Sequence, residues 1–247
     1  MAKYYDRGWN PIWGCKGEFD GCDVCFAKEL MNKRNTDKTF TDIKINRNQF
    51  YKTFDKTSQL IAVCTQSDLF QDDIKDKFID SVMRKCNNAK SHRFLFLTKY
   101  IDNMVNYFNT PHRMKNLNHN HLIKFSFDNM VFGVTVCSNK DIHRIEKLKS
   151  IKEIKYRFIA FEPIIENIDI DESMLIDIDW IIVGANSGNI IKQCNIQWII
   201  NLVEKAKKMN IPVFVNSIHL EEGKVTSEFD EMPEVLRCND IPFSIKN

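Results

Sequence analysis

From Leu60 onward the chain repeats one unit: a short apolar run rich in Val, Ile and Phe, a polar tip, then an amphipathic helix. The apolar runs are Leu60–Thr65, Arg93–Thr98, Val131–Val136, Tyr156–Phe161, Asp179–Gly184 and Pro212–Asn216. They are apolar at nearly every residue, the pattern of strands buried on both faces of a parallel sheet. The segments between them carry the helical period. After Asp73, residues Ile74, Phe78, Ile79, Val82, Met83 and Cys86 form one stripe, as do Ile196, Ile199, Ile200, Val203, Ala206 and Met209 further on. Strand and helix in alternation predict right-handed crossover units and a parallel α/β sheet. With a short strand before Cys15, the six runs build a full or partial barrel; an open doubly wound sheet shows the same alternation. At 247 residues and 43% hydrophobic composition, the chain is long enough for one such domain with a full core.

Parallel α/β architectures bind ligands at the C-terminal ends of their strands. The tips here are Gln66-Ser67-Asp68, Thr98-Lys99, Thr135 with Cys137, Glu162-Pro163, Gly184-Ala185-Asn186-Ser187-Gly188 and Asn216-Ser217. Ser67, Asp68, Asn186 and Ser187 are also ordinary helix-capping types. Capping does not account for Lys99 or Glu162, each directly after an apolar run. These two are expected to be exposed charges that contact a ligand rather than stabilise the fold.

The N-terminal run Asn10-Pro11-Ile12-Trp13-Gly14-Cys15, six further residues, then Cys22-Asp23-Val24-Cys25-Phe26-Ala27 offers three thiols from one loop and no nearby fourth ligand. Structural zinc takes four protein ligands, whereas an iron–sulfur cluster on three thiolates leaves one iron open to a reacting molecule. A zinc site completed by a distant residue, or plain buried thiols, are the alternatives. The cluster is favoured because the next histidine is His92, so no local Cys/His zinc unit can be drawn. Gly14, Gly17 and Gly21 supply the positive-φ freedom a tight wrap needs.

Eight cysteines are too few for a disulfide scaffold at this length. Met1 to Arg7 contain no apolar stretch of the signal-peptide kind, and no segment is long enough for a membrane span. The expectation is a cytoplasmic protein, in the host cytoplasm if viral, with reduced thiols. Lysines and arginines (35) nearly balance acids (33), so an anionic partner has to be met by a local patch.

The cysteine run resembles the cluster loop of radical S-adenosylmethionine (SAM) enzymes, especially the group related to spore photoproduct lyase. Gln66-Ser67-Asp68-Leu69-Phe70, Leu97-Thr98-Lys99, Phe132-Gly133-Val134-Thr135-Val136, Phe161-Glu162-Pro163-Ile164-Ile165 and Asp179 to Gly188 resemble, in order, the signatures of a phage-associated three-cysteine-motif family of radical-SAM-like proteins. The resemblance implies a single-domain partial (β/α)6 TIM-like barrel over 1–247, with its cluster loop at 10–27. It also implies a [4Fe–4S] cluster on Cys15, Cys22 and Cys25, with SAM on the open iron. An electron donor of flavodoxin or ferredoxin type would reduce the cluster. SAM would then be cleaved to methionine and a 5′-deoxyadenosyl radical that abstracts a hydrogen atom. By motif position, Gln66, Ser67 and Asp68 stand where the methionyl amine is held, and Thr98-Lys99 beside its carboxylate. Thr135 or Glu162 would reach the ribose, Asn186 and Ser187 the adenine, and the backbone at Phe26 the adenine as well. Cys137, and equally Cys194, is a candidate hydrogen-atom donor at the barrel mouth, with an inert loop thiol as the plainer reading.

The chain departs from the radical-SAM pattern in four places. Six residues rather than three separate the first two cysteines, and Val24 replaces the aromatic before the third. Asn186 stands where Glu is expected, and Asn216 where a Lys usually follows the last strand. None touches the three thiols. Kinship with the spore photoproduct lyase group and a phage setting imply a nucleic-acid base or nucleotide as substrate, with Lys90-Ser91-His92-Arg93, Tyr107-Phe108 and His112-Arg113-Met114-Lys115 as basic and aromatic material; solvated loops are the alternative reading of these segments. His119 and His121 follow at spacings too irregular for a metal cluster. The competing reading is a non-catalytic, metal-stabilised α/β protein that binds nucleic acid or a protein.

Overall fold

The computed structural model describes residues 4–33, 39–118, 124–187, 193–220 and 224–243. His119, His121 and Gly188 lie outside them. In chain order the elements are β1 (Arg7–Trp9), β2 (Ile12–Trp13), α1 (Phe26–Lys33), β3 (Lys44–Ile45), α2 (Arg47–Tyr51), β4 (Leu60–Val63), α3 (Asp76–Asn88) and β5 (Arg93–Thr98). There follow α4 (Ile101–Asn109), α5 (Arg113–Asn118), β6 (Met130–Thr135), α6 (His143–Ser150), β7 (Tyr156–Phe161), β8 (Trp180–Gly184), α7 (Ile196–Lys208), β9 (Val213–His219) and β10 (Val225–Thr226).

Among the described residues, eight strands form one sheet in the order β1-β4-β5-β6-β7-β8-β9-β10. Every pairing from β1 to β9 is parallel, and only β10 runs antiparallel to its neighbour. A doubly wound sheet reverses its strand order at a switch point; this one never does, so the doubly wound alternative falls.

Core packing gives the same answer. Alternate strand residues Ile61, Phe94, Phe96, Phe132, Ile159, Phe161, Ile181, Val183, Val213 and Val215 join the helix residues Ile79, Met83, Met104, Leu148, Ile199 and Leu202 in one large cluster. The intervening residues Leu60, Leu95, Val131, Phe158, Ala160, Trp180, Ile182 and Phe214 form a second cluster with Phe243, containing no helix residue. Since side chains alternate across a strand, all core helices lie on one face. The other face is closed by the chain's ends: the Tyr4 ring lies edge-on 5.8 Å from both Trp180 and Phe214, and Phe243 lies 6.1 Å from Trp180. Sequential parallel strands with helices on one face make a mixed α/β fold compatible with a partial barrel.

The sequence-based boundaries hold for β5 and β7 and shift elsewhere. The last strand continues past Asn216 to His219, because it pairs with β10 through His219 and Ile218. Asn216 and Ser217 are therefore strand residues, not a tip. No helix among the described residues is long and apolar enough to cross a membrane.

Candidate functional site

The cysteine loop is tied across the C-terminal ends of four consecutive strands. Its first residue, Asn10, accepts hydrogen bonds from Thr65 Oγ1 and Gln66 N just after β4, both 3.1 Å. The Gly14 carbonyl accepts from Ser67 Oγ at 2.7 Å and from Gln71 Nε2 at 3.1 Å. After β5, Lys99 Nζ donates to the Asp20 carbonyl at 2.6 Å and approaches Cys22 Sγ at 3.7 Å. Beyond β6, Ser138 Oγ donates to the Asp20 carboxylate at 2.6 Å. Beyond β7, the Pro163 ring packs under Gly21.

Cys15, Cys22 and Cys25 are free and half-buried. The Cys15 amide donates to the Phe40 carbonyl at 2.9 Å, and the Cys25 carbonyl accepts from Glu29 N at 3.1 Å, which puts Cys25 at the start of α1. Helix starts favour an anionic group through their aligned peptide dipoles. Burial pushes the Cys15 thiol up to about 12, with Asp68, Cys22 and Cys25 adding and a Gly17 backbone bond opposing. The loop thus holds Cys15 as a thiol until a cation offsets its charge, and metal coordination deprotonates such a ligand outright.

Asp68 organises the second layer. Its buried carboxylate accepts from Thr98 Oγ1 at 2.8 and 2.9 Å, Lys99 N at 3.0 Å and Phe70 N at 2.9 Å. Burial raises its pKa, and these bonds and the Lys99 charge oppose the rise. Ser67, Asp68 and Thr98 thus spend their polar atoms holding the loop and Lys99 rather than presenting them outward.

Lys99 and Glu162 are half-buried, not the exposed charges the sequence suggested. For Lys99, burial lowers the pKa, but the negative charge Cys137 and Cys22 carry as thiolates outweighs it and the net shift is upward. Strand alternation places Lys99, Thr135, Glu162 and Asn216 on the helix-free face, at its C-terminal rim. Glu162 accepts a hydrogen bond from Asn216 Nδ2, and burial raises its pKa against that bond. Its Oε1 lies over Gly184, where an added Cβ would stand 2.8 Å away. On the next tip, Asn186 is buried and Ser187 exposed. His219 Nε2 donates to the Asn186 carbonyl at 2.8 Å, while its Nδ1 accepts from Cys194 N at 2.9 Å.

Thr135 itself is buried, and its carbonyl accepts from Arg144 at 2.7 Å. Gln66 is half-buried beside Asn10, and Phe26, next to Cys25, leaves 57% of its surface exposed. Cys137 and Cys194 are both buried, so neither stands open at a mouth. Cys137 sits beside Lys99 and Gly21, its thiol pushed up to about 11, chiefly by burial; Cys194 packs in the large core cluster. Tyr107 and Phe108 are core residues, and Arg113 is buried against Asp80 and Asp76, so none of the three is free for nucleic acid. Sequence reading missed Asp20, Ser138, His219 and Tyr100. The Tyr100 hydroxyl is buried with no hydrogen-bond partner among the described residues and, after burial itself, feels Cys15 most strongly.

Three free thiols come from one loop, and thiolates are the donors an iron–sulfur cluster takes; among the described residues no three of His, Cys, Asp and Glu are grouped as a site for a single metal ion.

No curated protein matches the sequence. Two solved structures overlap it in part. A spore photoproduct lyase variant shares 11% identity with a TM-score of 0.44, covering 72% of this chain and 56% of its own. A second variant, with bound AdoMet and dinucleoside spore photoproduct, shares 10% identity with a TM-score of 0.44, covering 81% of this chain and 61% of its own. The chain thus spans little more than half the length of these proteins. A family model described as "Protein of unknown function (DUF5131)" matches residues 1–225, and on that match the chain belongs to the DUF5131 family.

Proposed function

We propose that the chain is a radical SAM enzyme: a partial (β/α)6 barrel, one domain over 1–247, that holds a [4Fe–4S] cluster on Cys15, Cys22 and Cys25 and binds SAM between the cluster and the polar rim. One observation carries the reading. Three free thiols from one loop are held over the same rim that presents Lys99, Thr135, Glu162 and Asn216, with Lys99 touching Cys22. A cluster with an open iron supplies one electron for the reductive cleavage of SAM when both are bound.

The rest is done by the chain's own side chains. Lys99, fixed through its backbone by Asp68, holds Asp20 and Cys22 in place and so acts as a positioning residue. Thr135, Glu162, Asn186 and Ser187 are the groups proposed to meet the ribose and adenine, with Gln66 and the backbone at Phe26 on the loop side. Tyr100, whose hydroxyl has no partner among the described residues, can give it to whatever sits beside Cys15.

The test is anaerobic purification and reconstitution, with iron and acid-labile sulfide counted per chain. About four of each, lost when Cys15, Cys22 or Cys25 becomes Ala, is expected, because two thiolates do not retain a four-iron cube. Cofactor-dependent release of 5′-deoxyadenosine from SAM completes the test. A colourless chain carrying stoichiometric zinc would overturn the assignment.

A further inference from the structure

A cleft of about 600 Å³ lies at the other end of the sheet, beside the starts of β4 and β5. Phe50, Phe54, Arg84, Lys85, Ser91 and His92 line it. Its volume is in the range of ordinary ligand sites, roughly 300–1,000 Å³. Two features mark it as more than a dent in the surface.

Arg84 and Lys85 stand side by side at the end of α3, and neither is ion-paired to a carboxylate among the described residues. Arg84 donates to the Asn116 carbonyl at 3.3 Å, and the Lys85 ammonium lies over the Phe50 and Phe54 rings at 5.8 and 5.3 Å. The acid in the wall, Asp55, is already bridged to Arg7 at 3.0 Å. His92, only 2% exposed, has one nitrogen committed and one not. Nε2 donates to the Asp55 carbonyl at 2.9 Å, which leaves Nδ1 buried with no partner among the described residues.

The wall segment Arg47–Lys56 extends the pattern outward. It carries Arg47, Lys52 and Lys56, all exposed, against the single acid Asp55, in a chain whose charges otherwise nearly cancel. Between them Tyr51 is 73% exposed, an aromatic ring presented to solvent with cations on either side in sequence.

We infer that this cleft and the face beside it bind a single strand of nucleic acid. Phosphates lie on Arg84, Lys85 and the exposed cations, a base stacks on Tyr51, and a base N–H or sugar hydroxyl satisfies His92 Nδ1. Cations tracking a backbone with an exposed ring for stacking are what single-strand binding requires. No cysteine enters this site, so the inference stands or falls apart from the radical SAM reading.

Fluorescence anisotropy with the full chain and labelled oligo(dT) and oligo(U) of about a dozen nucleotides tests it. Binding is expected to weaken with salt, and Arg84→Ala with Lys85→Ala should lower the log–log salt slope by about 1.4, two contacts at about 0.7 each. Tyr51→Ala should weaken binding by at least about fivefold, from the value of one stacked base. Lys208→Ala, an exposed cation on α7 paired with Glu172, should change nothing. The tighter of the two oligonucleotides identifies the strand type, and either supports the site. Thermal melts keep folding separate from binding. No binding at low salt, equal losses in the Lys208 variant, or a Tyr51 variant that binds as wild type would overturn it.

Discussion

Two glycines in the cysteine loop separate what the backbone requires from what packing requires. Both have left-handed backbone, φ +67° at Gly17 and +76° at Gly21. Alanine in that conformation costs roughly 1–2 kcal/mol. At Gly17 the added Cβ meets nothing closer than Cys22 Cβ at 3.7 Å, an ordinary contact, so Gly17→Ala should cost that and no more. At Gly21 it would stand 2.9 Å from Cys137 Sγ and 3.1 Å from Pro163 Cγ. Cys137 is buried and a proline ring is stiff, so neither neighbour gives way freely, and forced overpacking adds about 1–3 kcal/mol. Gly21→Ala should therefore release the loop more readily than Gly17→Ala by a factor of roughly 5 to 150, at tenfold per 1.4 kcal/mol. Reaction of Cys22 with a thiol reagent in the unreconstituted chain reads that opening directly, and the rate of iron loss to a chelator reads it after reconstitution. If Gly17→Ala opens the loop as much as Gly21→Ala, the contact with Cys137 and Pro163 does not hold the loop.

Glu162→Gln should flatten part of the pH dependence of stability. Burial raises the Glu162 pKa above its usual 4.5, so its contribution is fully present below that pH and lost as pH rises through the folded-state value. Gln does not titrate and keeps an oxygen for Asn216, so the variant should gain on wild type in melts taken from pH 4 upward; a pH-independent difference would refute this. Lys99→Met removes the donor to Asp20 and Cys22, and loss of a charged hydrogen bond costs about 1.5–3 kcal/mol. Urea unfolding should show a loss in that range together with faster Cys22 modification, whereas unchanged Cys22 reactivity would deny Lys99 its positioning role.

The fold was legible because burial on both faces writes apolar runs into every central strand. Arg93–Thr98 and Tyr156–Phe161 could be bounded to the residue for that reason. The same rule hid the end of β9. Asn216, Ser217 and His219 are polar, yet the strand continues through them because their side chains find partners inside: Asn216 on Glu162, Ser217 on the Ala185 carbonyl at 2.8 Å, His219 on the Cys194 and Asn186 backbone. No single-residue hydropathy reports a partner supplied by a distant strand. Short β1 was visible only as a weak run, since its three residues gain their place by pairing with β4 and by burying Trp9.

At the candidate site, sequence shows which polar residues stand at strand ends but not their division of labour. Polar residues at strand tips read alike in sequence, whether they face a ligand or a neighbouring loop. Parity along the strand separates them: Thr98 points to the helix side and meets Asp68, while Lys99, one residue on, turns to the helix-free face and meets Cys22. The tips of β4 and β5, with Ser138 after β6, hold the cysteine loop, leaving Thr135, Glu162 and Asn216 at the rim. Asn216 in place of a lysine then has a physical consequence. A lysine would pair Glu162 as an ion, whereas the amide gives it a single neutral hydrogen bond, which lowers the carboxyl pKa against the larger upward push of burial.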